Sequence, residues 1–157
     1  PVIDVAACRT AIISSTIAGS NGLNKTGAGT LTLSGTLSYT GNTCISAGVL
    51  TRTGTWVECS GETTTISAGA DMTISCTSYI GNTGTGSVVV TGCGSTLTST
   101  KCGGSAFCVG RACGATGSLT IQCGADFVMS TACASFGIFK NYKERGSQFT
   151  NYVNSLK

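Results

Sequence analysis

Between Thr30 and Ser34 the chain alternates polar and apolar, Thr30-Leu31-Thr32-Leu33-Ser34, so Leu31 and Leu33 share one face of a predicted strand. Gly27 and Gly29 precede that strand and Gly35 follows it, as turn punctuation. A second alternating run ends at Tyr39, and Gly41-Asn42 breaks the chain again. Cys44-Ile45-Ser46 then gives a third short strand before Ala47-Gly48. Short strands, glycine turns and threonine-lined faces with little charge predict a chain coiled into stacked β-rungs.

Internal echoes support the same reading. Ser38-Tyr39-Thr40-Gly41-Asn42-Thr43 recurs as Ser78-Tyr79-Ile80-Gly81-Asn82-Thr83. Ile45-Ser46-Ala47-Gly48 recurs as Ile66-Ser67-Ala68-Gly69, and Ile121 to Asp126 echoes Ile66 to Asp71. Thr85 to Val90 resembles Thr116 to Ile121. Offsets near 20 residues are a solenoid period.

The stretch from Gly22 to Leu50 resembles the repeat of autotransporter passenger domains. Gly22, Leu23, Lys25, Gly27, Gly29, Thr30, Leu31, Leu33, Ser34 and Gly35 carry the first half of that pattern. Tyr39, Thr40, Gly41, Thr43, Ile45, Ala47, Gly48 and Leu50 carry the second. The resemblance implies a right-handed parallel β-helix displayed outside the cell, and no particular chemistry, because such passengers include adhesins, proteases and inert stalks. The chain is richer in cysteine than that family and shows no set of amphipathic barrel strands. Only the rung architecture is carried over, not the export route.

The ends differ from the middle. Residues 1–21 are apolar and predict either a cap on the rung stack or a segment joining a neighbouring subunit, helical over Val2–Ala11 or extended over Thr10–Ile17. From Ser135 the alternation stops, and Phe149, Tyr152, Val153 and Leu156 fall at helical spacing. The expected fold is one all-β domain over 1–157. It is a small disulfide-rich β-solenoid with rungs over 22–134, an apolar N-terminal segment and a short C-terminal helical cap over 135–157. Val2, Ile3, Val5, Phe149, Tyr152, Val153 and Leu156 are the candidate subunit contacts.

Composition narrows the function. Charged residues are 10% of the chain, and a surface so poor in charge is weakly defended against self-association. The net charge of +3, without a basic stripe, excludes nucleic acid as the expected partner. No apolar run is long enough to span a bilayer, so no integral membrane role is expected. A start at Pro1 fits a mature chain that has lost a signal segment.

Ten cysteines without a histidine or a C-x-x-C pair point away from zinc and toward five disulfides in an oxidising compartment. The expected bridging residues are Cys8, Cys44, Cys59, Cys76, Cys93, Cys102, Cys108, Cys113, Cys123 and Cys133. Val57 with Cys59, Ile74 with Cys76, and Ile121 with Cys123 are each two apart, so these thiols are expected to face the core with the aliphatics. Cys59, Cys76 and Cys93 recur at steps of 17, near one rung.

Candidate chemistry is sparse. The acids Asp4, Glu58, Glu62, Asp71, Asp126 and Glu144 form no convincing constellation, and no cofactor or enzyme activity is expected. Asn24-Lys25-Thr26 is an N-x-T sequon. The segment from Lys101 to Cys113, with Phe107 and Arg111, reads as a disulfide-held loop and a contact surface.

The favoured function is an extracellular structural or adhesive protein, secreted or at the cell surface, whose partner is itself in a filament or similar homopolymer. A monomeric secreted module for a glycan or receptor is the alternative. An ice-binding solenoid ranks behind both, because Met72-Thr73-Ile74-Ser75 and Ser118-Leu119-Thr120-Ile121 break a strict T-x-T repeat.

Overall fold

The computed structural model describes residues 1–75, 77–100 and 107–129, with the backbone alone at 58–60. All regular structure among them is strand, and every strand pairing is parallel. The first turn of the solenoid holds β1 (Val2–Asp4), β2 (Thr10–Ile13) and β3 (Ile17–Gly19). The second holds β4 (Leu23–Thr26), β5 (Thr30–Leu33) and β6 (Leu37–Tyr39). The third comprises β7 (Thr43–Ile45), β8 (Val49–Arg52) and the start of β9 (Trp56–Ile66). The end of β9 opens the fourth turn, which continues through β10 (Asp71–Ile74) to the start of β11 (Ser78–Thr91). The end of β11, β12 (Thr96–Ser99) and β13 (Phe107–Val109) make the fifth. β14 (Thr116–Gln122) and β15 (Asp126–Met129) follow in the sixth.

Stacking these turns produces three faces. One is a six-stranded sheet in the order β2-β5-β8-β10-β12-β15. A second runs β1-β4-β7, then the end of β9, the end of β11 and β14. The third is split, with β3 paired to β6 and, separately, the starts of β9 and β11 paired to β13.

Local chemistry explains the path. Period-two alternation commits each short strand to one inward row, and glycine lets the chain turn the corner. Gly48 has φ +66°, and a Cβ there would stand 2.4 Å from Gly29 O of the turn below. Only glycine fits both the left-handed backbone and that close approach. The inward rows then stack in register. On the six-stranded sheet Leu31, Leu50, Met72 and Leu97 form one column, all almost fully buried. On the second face Ile45, Ile66 and Val90 do the same. Each such side chain contributes about 1.5–3 kcal/mol relative to exposure.

The parallel solenoid matches the sequence expectation; the disulfide framework and a helix over Val2–Ala11 do not. Residues 2–19 supply a complete first turn of strands rather than a helix over Val2–Ala11. A turn closed by Arg9 N donating to Ala6 O at 3.1 Å, with Cys8 at φ +60°, breaks any helical run there. No helix occurs among the described residues. The helical stripe of Phe149, Tyr152, Val153 and Leu156 lies outside them.

Cys8, Cys44, Cys93, Cys108, Cys113 and Cys123 are free thiols. Their positions explain why. Cys44 points outward in a column between Asn24 and Thr65, and Cys108 is in register with Tyr79. Cys123 does not continue the inward row of β14, because the strand ends at Gln122 and Cys123 turns the corner at φ +56°. Cys93 Sγ lies over Gly124, 3.0 Å from where a Cβ would stand. Cys76, Cys102, Cys133 and the side chain of Cys59 lie outside the described residues.

Candidate functional site

The most ordered surface is the outer side of the six-stranded sheet. Because Leu31, Leu50, Met72 and Leu97 point inward, the residues after them point outward. Thr32, Thr51, Thr73 and Thr98 therefore stack in register on four consecutive strands, all half-buried. Ile12 and Val128 close this column at its two ends. The parallel column two residues earlier reads Thr10, Thr30, Val49, Asp71, Thr96 and Asp126. Neighbouring strands are about 4.8 Å apart, and residues two apart on one strand are separated by roughly 6.6 Å. No hydrogen bond within the described residues takes up the hydroxyls of Thr32, Thr51, Thr73 or Thr98.

A cleft opens on the third face, where β6 does not pair with the start of β9. Its volume is about 200 Å³, and Leu37, Tyr39, Thr55, Trp56, Val57 and Glu62 are among its walls. Tyr39 Oη and Thr43 Oγ1 share a hydrogen bond of 2.7 Å at its edge, and Trp56 N donates to Thr77 O at 3.1 Å. Glu62 is the one acid among the described lining residues. That is half of the carboxylate pair that glycoside hydrolysis requires.

Among the described residues, two cations sit inside the stack. Lys25 occupies an inward position between Ile3 and Ile45 and is fully buried. Its Nζ donates to Thr26 O at 2.8 Å, Gly27 O at 2.7 Å and Ala47 O at 3.1 Å. Arg52 lies inward between Leu33 and Ile74. Its guanidinium donates to Leu33 O, Gly35 O, Gly54 O and Thr55 O at 2.9–3.3 Å. Both side chains act as internal staples, giving donors to buried carbonyls at and beside the corners, of which Thr26 O and Leu33 O also accept from Val5 N and Thr53 N.

Burial pushes the Lys25 ammonium below the ordinary lysine range, and the Asp4 carboxylate draws it partly back. The unfolded chain therefore holds this proton more tightly than the folded one. The resulting penalty is full below the lowered pKa and is relieved as pH rises toward 10.5. The unfolding free energy of the wild type, minus that of Lys25→Met, is expected to rise between neutral pH and 10.5. Parallel urea titrations of both proteins measure it; a flat or falling difference would contradict this placement of the ammonium.

The remaining sequence-predicted residues scatter. Val2 is 66% exposed, Ile3 is half-buried, and Val5 is buried in the protein's own core. Asp71 and Asp126 share a column but are separated by Thr96, which puts two strand spacings, roughly 9.6 Å, between them. Asp4 Oδ2 accepts from Thr26 Oγ1 at 2.8 Å. Asn24 of the sequon lies within β4, half-buried. Lys101 lies outside the described residues; Phe107 packs on Phe127 with ring centroids 5.1 Å apart. Arg111 lies 4.6 Å over the Tyr79 ring and donates to Asn82 Oδ1 at 3.2 Å. The described part of the 101–113 segment is thus tied to its own solenoid. No group of three potential metal ligands occurs among the described residues.

A family model described as passenger-associated-transport-repeat matches residues 23–51, which span β4 to β8. No curated protein and no solved structure matches the chain.

Proposed function

We propose that this chain is a structural or adhesive module displayed outside the cell, and that its copies stack end to end into a filament or similar homopolymer. The passenger-type repeat over residues 23–51 and the parallel solenoid built on it support the extracellular structural role. No helix of the described residues is long and apolar enough to cross a membrane.

The observation that carries the assembly reading is the edge of the first turn. Among the described residues no strand covers the outer edges of β1, β2 and β3, and all three are parallel-paired on their other side. An uncovered edge offers a row of N–H and C=O groups to another strand. Val2 and Ile12 on these strands are 66% and 70% exposed, so apolar surface accompanies the open hydrogen-bonding groups. Val2 and Ile3 belong to the proposed joint, while Val5 serves its own core.

Electron microscopy of the native protein, with its mass in solution measured alongside, tests this. Particles or filaments with a regular subunit repeat are expected. Val2→Lys with Ile12→Lys should shift the population to monomer by placing charge at the open edge. A wild type that stays monomeric at every concentration would overturn the assembly reading.

A further inference from the structure

We propose that the outer side of the six-stranded sheet binds ice, with Thr32, Thr51, Thr73 and Thr98 as the centre of the binding face. The ligand is ordered water at a growing crystal surface, and the activity is independent of end-to-end stacking.

Three observations meet on this face. The first is regularity. Pairings from β2 through β15 run residue for residue without a shift, whereas the β9–β11 pairing shifts register twice as it passes from the third face to the second. The sheet is therefore an even template, on which Thr32, Thr51, Thr73 and Thr98 repeat one group at the strand spacing while the neighbouring column mixes threonine with Val49, Asp71 and Asp126.

The second is chemistry. A threonine carries a methyl and a hydroxyl on a β-carbon whose rotation is restricted, so a stacked column presents a row of each. The methyls leave adjacent water with few competing partners, and the hydroxyls pin that water by hydrogen bonds. Those hydroxyls are available, since nothing within the described residues engages them. Thr30 and Thr96 add hydroxyls two residues away in the second column. Lysine and arginine are absent from the outward positions of both columns.

The third is the mismatch with other occupants. Protein interfaces concentrate their energy in aromatic and arginine anchors. The outward positions of this sheet hold neither. A repeating lattice is the one ligand whose own periodicity can engage every turn of the column, so many weak contacts sum. The second face supplies an internal control. Its outward column of Asn24, Cys44, Thr65 and Val89 mixes side chains from turn to turn.

The test is freezing-point hysteresis and ice-crystal shape in a solution of the whole protein. The wild type should hold small crystals at constant size over a temperature gap and facet them. Thr51→Lys with Thr73→Lys should abolish both effects, because two charged side chains lift the face off the lattice. Thr65→Lys with Val89→Lys on the second face should keep them. Thr51→Val, which keeps the methyl, covers the case in which the lysine pair does not fold, and should reduce the gap without removing it. Circular dichroism checks that each variant retains its strands. A wild type without hysteresis would overturn the proposal, as would equal loss in the Thr65→Lys, Val89→Lys control. A change of mass in place of a change in ice growth would assign the face to contact between copies and overturn it too.

Discussion

Arg52→Ala is expected to destabilise the protein by about 2–5 kcal/mol, the scale for truncating a large buried side chain together with its hydrogen bonds. The side chain is 1% exposed and ties the second turn to the third. Nη1 holds Leu33 O at 3.2 Å and Gly35 O at 3.1 Å; Nη2 holds Gly54 O at 3.3 Å and Thr55 O at 2.9 Å. Truncation removes this donor from the Gly35, Gly54 and Thr55 carbonyls, leaves Leu33 O with Thr53 N alone, and opens a cavity between Leu33 and Ile74, which flank Arg52 in its column. Arg52→Lys should recover only part of the loss, because an ammonium cannot reproduce the planar fork that serves both turns. Equilibrium urea denaturation measures both. A loss below about 1 kcal/mol for alanine would place the guanidinium at the surface.

Leu50→Ala comes next, with an expected loss of about 2–5 kcal/mol. Leu50 is 1% exposed and stands between Leu31 and Met72 in the central column, where flanking strands leave little room to collapse. Thr51→Ala, one residue on and facing outward, should stay within about 0.5 kcal/mol of the wild type. The contrast between adjacent positions is what an alternating strand with one buried side requires. Comparable losses at the two sites would mean that the alternation does not set the core.

Much of this fold is legible in the sequence because the stacking registers leave echoes. The resemblance of Thr85–Val90 to Thr116–Ile121 is the register itself: each residue pairs with its counterpart on the next turn. Ile45 and Ile66, at the heads of the two Ile-Ser-Ala-Gly runs, are likewise partners. Tyr39 and Tyr79 occupy β6 and the start of β11, two turns apart on the third face. The alternation in Thr30–Leu33 appears as alternating half-buried and buried residues in β5.

Other features are hidden for physical reasons. Lys25 and Arg52 read as surface residues by type, and only their two-residue spacing from Leu23 and Leu50 marks them as inward. The thiols mislead in the opposite direction. Cysteine two residues after an aliphatic suggests a core position, but at Ile121 and Cys123 the strand stops between them. Ile121 is itself 37% exposed. The threonine face is concealed by its neighbours. Thr73 stands between Asp71 and Ser75, and the partner of Thr51 in Thr51-Arg52-Thr53 falls beyond the end of β8, so neither strand carries a T-x-T pair, yet register places both between Thr32 and Thr98. Conversely Thr63 and Thr65 do form one, and they lie on the other sheet. A linear motif search tests neighbours along the chain, whereas the face is built across it.

Methyl-resolved NMR of the labelled protein tests the in-register solenoid most directly. The account predicts through-space contacts linking Leu31 to Leu50, Leu50 to Met72 and Met72 to Leu97, with none between Leu31 and Leu97. A Leu31 to Leu97 contact, or a break in that ladder, would contradict the stack on which both the core and the threonine face depend.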